Sequence, residues 1–272
     1  MLSQLRRSAA LASIRELGLF EDIQWHDELD STNRYAVREY KAGRLQLPSL
    51  VVTDRQSRGV GRGGNAWWSP EGCLMFSMVL PWPSHSNDSS TLPLRVGISV
   101  AQTISHISGK RATVKWPNDV VLDDRKVCGV LIESSACSDL ERYDLRIIGI
   151  GINCSVDFSH APDELRSSAI SLHEAIGSAT GEAITPESVL LQFLQHWGTL
   201  QSIWLDDPQW IQSHWHEWDW LAGQWVEVTL PDRVIQGIAS GIDPSGALNV
   251  VDRFGRTHAI LSGTVRPLRP VS

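Results

Sequence analysis

A glycine-rich run, Gly59-Val60-Gly61-Arg62-Gly63-Gly64-Asn65, lies between two strand-like segments, and no other feature constrains the fold as strongly. Gly59, Gly61 and Gly64 satisfy G-x-G-x-x-G, the dinucleotide fingerprint, and Leu50 to Thr53 ahead of them reads as a buried strand. A Rossmann unit then requires a helix whose N-terminus receives pyrophosphate. Here the chain continues Trp67-Trp68-Ser69-Pro70 and enters a second apolar strand, Leu74 to Leu80, which Pro81 and Pro83 are expected to stop. That context excludes a doubly wound nucleotide fold. A P-loop is excluded as well, because Ile104 stands where the first glycine before Gly109-Lys110 is needed. What remains is a loop of bare backbone with Arg58 and Arg62. It is either a flexible turn or an anion cradle in which successive N–H groups and a forked guanidinium meet oxygen.

Around this unit the pattern alternates between strands and helices. Ile23 to Glu28 reads as a strand, Asp30-Ser31-Thr32-Asn33 as a helix start, and the helix runs to Lys41 near Gly43. A cluster of small oxygen-bearing side chains at such a point is ordinarily the N-cap. Ser84 to Thr91 reads as a polar surface loop. Leu94, Ile98, Ala101 and Ile104 mark one face of a helix that Gly109 stops. Strands are expected up to Lys115, over Val127 to Ser134 after the Asp123-Asp124-Arg125 turn, and over Leu145 to Ile150. Thr185-Pro186 opens a long helix carrying Val189, Leu190, Phe193, Leu194, Trp197 and Trp204. Past Leu221 the period shortens to Trp225 to Leu230, Val234 to Ile242, Ala247 to Val251 and His258 to Leu261, with turn residues between them. That pattern predicts a small antiparallel barrel beginning near Ala222-Gly223.

Composition narrows the function classes. At 272 residues the chain has room for about two domains. With 24 basic against 31 acidic side chains its net charge is −7, which argues against a protein built to neutralise nucleic-acid phosphates. No apolar run approaches the ~18 residues of a membrane span. Four scattered cysteines, Cys73, Cys128, Cys137 and Cys154, with no C-x-x-C pair, read as reduced cytoplasmic thiols. Arg6 and Arg7 precede a short apolar stretch that Arg15 and Glu16 interrupt, so an amphipathic helix through Leu5, Leu11, Ile14 and Leu17 is expected rather than an export signal. Seven of the 12 tryptophans fall between Trp197 and Trp225. Their helical spacing reads as core rather than as an aromatic cage, and His214-Trp215-His216 lacks a third ligand for a metal.

Three further segments carry chemistry. Lys115-Trp116-Pro117-Asn118-Asp119 closes a strand with a cation, a turn and hydrogen-bonding groups, Lys126 opens the next strand before Val127-Cys128-Gly129, and Gly149-Ile150-Gly151-Ile152-Asn153 ends a third with bare backbone that allows close approach of a flat ligand. Together with Asp30-Ser31-Thr32-Asn33, Gln56 and the glycine-rich run, these stand in the order found in biotin protein ligases, which the chain resembles from about residue 24 to the C-terminal barrel. The Lys-Trp-Pro-Asn-Asp string is the most specific of them.

The resemblance implies an α+β catalytic domain with a mixed sheet, of the class II synthetase-like type shared with lipoate ligases, over residues 23–221. It also implies an SH3-like barrel over 222–272, with residues 1–22 as a helical extension. The implied reaction joins biotin and Mg-ATP to biotinyl-5′-AMP and pyrophosphate, then passes the biotinyl group to a lysine of a biotin carboxyl carrier protein. Carried over by position, Ser31, Thr32, Asn33 and Gln56 contact biotin, and Gly59, Val60, Gly61 and Arg62 close on the adenylate. Lys126 is the cation beside carboxylate and α-phosphate, Asn118 and Asp119 face nucleotide and metal, and Asp119 is also a candidate base for the acceptor lysine. Trp67, Lys115, Gly129, Gly149, Gly151 and Asn153 complete the implied binding set, with Lys126, Arg62 and Asp119 as its catalytic members. No protein metal ligand set is implied beyond Mg²⁺ arriving with ATP.

Val60 departs from the family, which usually has arginine there. The family's barrel arginine aligns equally with Arg266 or Arg269. The resemblance admits a homodimer as well as a monomer, no DNA partner and no membrane. A lipoate or octanoate ligase or transferase of the same superfamily is the alternative, and a non-catalytic biotin sensor or repressor is a more distant one, since the ~22 residues before the first strand offer no DNA-reading element.

Overall fold

The computed structural model describes residues 2–83, 91–136, 143–177, 184–207 and 209–268. In chain order these form α1 (Leu2–Glu16), β1 (Asp22–Leu29), α2 (Thr32–Lys41), β2 (Ser49–Gln56), β3 (Cys73–Pro83), α3 (Leu92–Ser108), β4 (Thr113–Lys115), β5 (Asp119–Leu122), β6 (Arg125–Ala136) and β7 (Tyr143–Asn153). Short helices α4 (Asp163–Ser168) and α5 (Leu172–Ile176) lead to α6 (Pro186–Asp206) and α7 (Trp210–Trp218). The chain ends in β8 (Trp225–Thr229), β9 (Val234–Ile242), β10 (Leu248–Val251), β11 (Thr257–Ile260) and β12 (Thr264–Pro267). The first seven strands make one sheet, ordered β1-β2-β3-β7-β6-β5-β4, and the last five make a second, β11-β10-β9-β8-β12. Only β1 and β2 pair in parallel, so the large sheet is mixed, and the small one is antiparallel throughout.

Strand alternation sorts the large sheet into two unlike faces. Leu74, Phe76, Met78, Leu80 and Trp82 of β3, with Ile148, Ile150 and Ile152 of β7, pack in the main core with residues of α3 and α6. The opposite face is apolar at its ends, near α2 and around Phe158, and at Leu131 between them. Between those ends it carries Ser77, Gly129, Gly149 and Gly151, which leaves space rather than filling it.

Four of the seven clustered tryptophans are core, as their spacing predicts: Trp197, Trp204, Trp210 and Trp215 are buried, while Trp218 and Trp220 are half-buried and Trp225 is exposed. Rings touch in sequence from Phe76 through Phe193, Trp197, Trp204 and Trp210 to His214. The barrel's Val226, Val228, Leu248 and Val250 belong to this same continuous core.

Three expectations are corrected. β3 does not stop at Pro81 but runs to Pro83 in its ladder with β7; Pro81 falls past Val79, the end of the ladder with β2, where no β2 carbonyl needs an N–H from it. At the N-terminal helix Leu11, Ile14 and Leu17 meet the core as expected, with Ala10 beside them, but Leu5 is 61% exposed, because the helix meets α6 through its second half. The barrel has a fifth strand, β12, that short-period patterning missed, since Thr264-Val265-Arg266-Pro267 shows one buried side chain, Val265. Cys137, Arg269 and most of the polar stretch Ser84–Thr91 lie outside the described residues.

Candidate active site

The open face of the sheet forms the floor of a cavity of about 490 Å³, a usual size for a small-molecule site. Its floor depends on missing side chains. A Cβ at Gly149 would lie 2.3 Å from Asn33 Oδ1, and one at Gly151 would lie 2.6 Å from Trp67 Cε2, so both glycines admit a planar group directly against the strand. Gly129, opposite Gly151, lies under the same indole.

At one end, the start of α2 does more than cap a helix. Ser31 occupies the N-cap position in extended backbone, yet its side chain makes no capping hydrogen bond. Thr32 donates its backbone N–H to Gln56 Oε1 at 2.9 Å, and its hydroxyl lies 2.7 Å from Ser77 Oγ. Ser77 Oγ is 2.6 Å from Asn33 Oδ1, and Asn33 Nδ2 donates to Glu133 Oε2 at 2.8 Å. Ser31, Thr32, Asn33 and Gln56 all line the cavity.

The other end is cationic. β4 and β5 form a hairpin in which Lys115 pairs with Asp119, so both side chains share the cavity face. Lys126 Nζ forms an ion pair with Asp119 Oδ1 at 2.6 Å and lies 5.5 Å from the Trp67 ring centroid. Its placement requires an irregularity. Val120 pairs with Cys128 but Val121 pairs with Lys126, leaving Val127 as an extra residue on β6. Without that bulge Lys126 would point the same way as Cys128 and Val130, into the core; with it, Lys126 joins Gly129 on the open face. Asn153 braces the irregular point by donating to the carbonyls of Lys126 and Ile170.

Burial lowers the Lys115 ammonium from its ordinary value, partly offset by Asp119 and reinforced by Lys126. Burial lowers Arg62 likewise, against Asp119. Arg62, Lys115 and Lys126 thus face one carboxylate, a surplus of positive charge in a partly desolvated cleft, which suits a phosphate-bearing ligand.

The glycine-rich run forms the side wall as a tight turn. Gly63 and Gly64 have φ of 67° and 81°, a region that strongly favours glycine, and Gly61 N–H bonds Asn65 O. Arg62 Nη2 donates to Gly263 O of the barrel at 3.2 Å, and Trp116 Nε1 donates to Gly246 O at 3.0 Å. Gly263, Thr264 and Val265 line the cavity where Arg62 reaches the barrel.

Of the residues expected in the binding set, Gly59 and Asn153 do not line the cavity. Gly59 lies behind the loop, where a Cβ would strike the Trp67 carbonyl at 2.7 Å, and Asn153 acts through the bulge. Val60, Gly61, Arg62, Trp67, Lys115, Asn118, Asp119, Lys126, Gly129, Gly149 and Gly151 line it. Asn118 Nδ2 donates to Val130 O. Arg266 is bound to Glu227 on the barrel surface and does not line the cavity; Gly263 to Val265 are the barrel residues that do. Sequence reading missed those three, Leu131 and Ser77. The one available signal was for Ser77, a serine inside the otherwise apolar run from Cys73 to Leu80.

The Biotin/lipoate A/B protein ligase family model matches residues 25–153, and the Biotin protein ligase C terminal domain model matches residues 222–265. The bifunctional ligase/repressor BirA of Bacillus subtilis is 31% identical over 229 residues, 84% of this chain and 69% of that protein. The biotin–[acetyl-CoA-carboxylase] ligase of Paracoccus denitrificans is 28% identical over 233 residues, 84% of this chain and 93% of its own length. Among solved structures, the biotin protein ligase of Aquifex aeolicus in complex with biotin and ATP aligns with a TM-score of 0.73 and 29% identity, covering 92% of this chain and all of that one. The chain belongs to the biotin protein ligase family of enzymes.

Proposed function

We propose that this enzyme activates biotin with ATP, forming biotinyl-5′-AMP and pyrophosphate, and transfers the biotinyl group to a lysine of a biotin carboxyl carrier protein. The observation that carries this reading is the polarity of the cavity. A neutral hydrogen-bonding end at Ser31, Thr32, Asn33 and Gln56 is joined by the glycine floor to a cationic end at Arg62, Lys115 and Lys126. A ligand with a polar ring, an apolar middle and an anionic tail fits that order.

Each step follows from the residues present. The biotin carboxylate attacks the α-phosphorus, the bond to pyrophosphate breaks, and negative charge collects on the phosphoryl oxygens. Lys126 and Arg62 are the cations at that end of the cavity, and it is against this developing charge that they lower the barrier most. In the second step the acceptor amine, as free base, attacks the mixed anhydride and AMP leaves; Asp119 is the carboxylate positioned to take the proton. Before ligand binds, Asp119 is occupied by Lys126 at 2.6 Å, so its oxygen is free for the acceptor amine only when Lys126 turns to the incoming anion.

Among the described residues no group of three His, Cys, Asp or Glu side chains gathers as a metal cage. Mg²⁺ is commonly held by one or two carboxylates and the substrate's own phosphates, so Asp119 with the triphosphate fits it, and the ion would supply further charge neutralisation. The free, buried thiols of Cys73, Cys128 and Cys154 suit the cytoplasm. Among the described residues no helix is long and apolar enough to cross a membrane.

Pyrophosphate release from ATP is the test. It should require biotin, and carrier protein should raise turnover beyond the first equivalent. Release supported by lipoate and not by biotin would replace this reading with the lipoate-ligase alternative.

A further inference from the structure

Ser77 and Glu133 touch the cavity only through other residues, yet they complete a continuous polar chain beneath it: Gln56, Thr32, Ser77, Asn33, Glu133. Ser77 is fully buried at the centre of β3, flanked across the sheet by Val51 and Gly149. A hydroxyl in that position is costly unless both of its hydrogen-bonding capacities are used.

The proton positions along this chain are determined. Asn33 Nδ2 donates to the Glu133 carboxylate at 2.8 Å, so the amide cannot be reversed without setting its carbonyl against a carboxylate. Asn33 Oδ1 is therefore the end that faces Ser77, and as an acceptor it takes the Ser77 proton at 2.6 Å. The single Ser77 proton is then spent, so the 2.7 Å contact with Thr32 Oγ1 needs the Thr32 proton, which goes there in preference to Gln56 Oε1 at the longer 3.4 Å. With its proton committed behind it, Thr32 Oγ1 faces the cavity as an acceptor. Gln56 is oriented by the same residue, since its Oε1 accepts from Thr32 N–H at 2.9 Å and its Nε2 is left as donor.

We propose that Ser77 and Glu133 are positioning residues that fix the donor and acceptor pattern of the Thr32-Gln56 end, and that this pattern selects a cyclic urea. A urea ring offers N–H donors beside a carbonyl acceptor, the complement of an acceptor hydroxyl beside a donor amide. This inference rests on the biotin-ligase reading and adds to it two residues that would not touch the substrate.

The test compares Ser77→Ala, Glu133→Ala and Glu133→Gln with the unaltered enzyme, reading biotin KM, ATP KM, kcat and Tm. Glutamine keeps an oxygen that accepts from Asn33, so Glu133→Gln should restore most of what Glu133→Ala loses. Loss of one such hydrogen bond corresponds to about tenfold. Ser77→Ala and Glu133→Ala should therefore raise biotin KM by about tenfold, with ATP KM and kcat within twofold. Desthiobiotin, which keeps the urea and lacks the thioether, should weaken by the same factor as biotin. A biotin KM unchanged in both alanine variants overturns the proposal while leaving the ligase reading intact. So does an ATP KM that rises in step with it, the mark of a generally loosened sheet. An unaltered enzyme that releases no pyrophosphate with biotin overturns both.

Discussion

Replacing Gly149 with alanine asks whether the cavity floor is as tight as the geometry says. Its φ lies outside the left-handed region, so the backbone accepts alanine without strain, and the whole effect comes from one methyl group. That methyl would sit 2.3 Å from Asn33 Oδ1, 2.9 Å from Cγ and 3.0 Å from Nδ2. Ordinary contact begins near ~3.5 Å, so the amide must retreat by about 1 Å. It has no room to do so within its bonds of 2.6 Å to Ser77 and 2.8 Å to Glu133. Losing one neutral and one charge-assisted hydrogen bond costs about 1 and about 2 kcal/mol respectively. Glu133 is exposed and regains water, whereas Ser77 is buried and does not. Stability should therefore fall by about 1 to 2 kcal/mol in urea unfolding, and biotin affinity by calorimetry should fall about tenfold or more. Combining Gly149→Ala with Asn33→Ala removes the clash along with the amide, so the double variant should be no worse than Asn33→Ala alone. Wild-type affinity in Gly149→Ala, or strictly additive losses in the double variant, would refute the argument.

Other consequences are equally direct. Lys126→Ala should slow single-turnover pyrophosphate release on the order of 10² to 10³ while ATP binding changes far less; near-normal release would remove Lys126 from the chemistry. Arg62→Gly, which cuts the link to Gly263 O, should speed dissociation of biotinyl-5′-AMP, and Val60→Arg, which adds a cation to the same wall, should slow it; unchanged rates in both would make the loop a structural turn. The His258 hydrogen bond, followed by the backbone N–H groups of Arg256 and Phe254, holds the Asp252 carboxyl at about 2. Because its folded value lies below the ordinary carboxyl value of 3.8, that contribution is present above pH ~4 and is lost as pH falls toward 2. Asp252→Asn should flatten the Tm profile across that window.

What the sequence disclosed followed the strength of local signals. The Lys115 to Asp119 string, the Thr185-Pro186 helix start and the glycine-rich run between two strands are each written in contiguous residues, and each occurs as read. The site's supports are not contiguous. Ser77 looks like an isolated polar residue until α2 and β6 bring Asn33 and Glu133 to it. Asn153 looks like a ligand contact because it ends a glycine-bearing strand, but its amide is spent on the Lys126 carbonyl. The resemblance offers Arg266 or Arg269 as the barrel's contribution; Arg266 is bound to Glu227 away from the cavity, and Arg269 lies outside the described residues. Among the described residues the barrel's share of the wall is made by Gly263, Thr264 and Val265, whose position depends on β12 pairing with β8.

Val127 gives the active site a sensitivity to counting rather than to chemistry. A strand is a two-state register, in which each residue faces up or down, and the extra residue at Val127 shifts that alternation by one between Lys126 and Gly129. Many apolar side chains fill the Val127 position without changing the count. Inserting one residue into β5 between Val120 and Val121 would give Val127 a partner and produce a more regular hairpin between β5 and β6, with Cys128 and Val130 still in the core and Lys126 turned inward beside them. The sheet would be locally better ordered and the cavity would lack its central cation. For this segment, chain length holds more of the function than side-chain identity does.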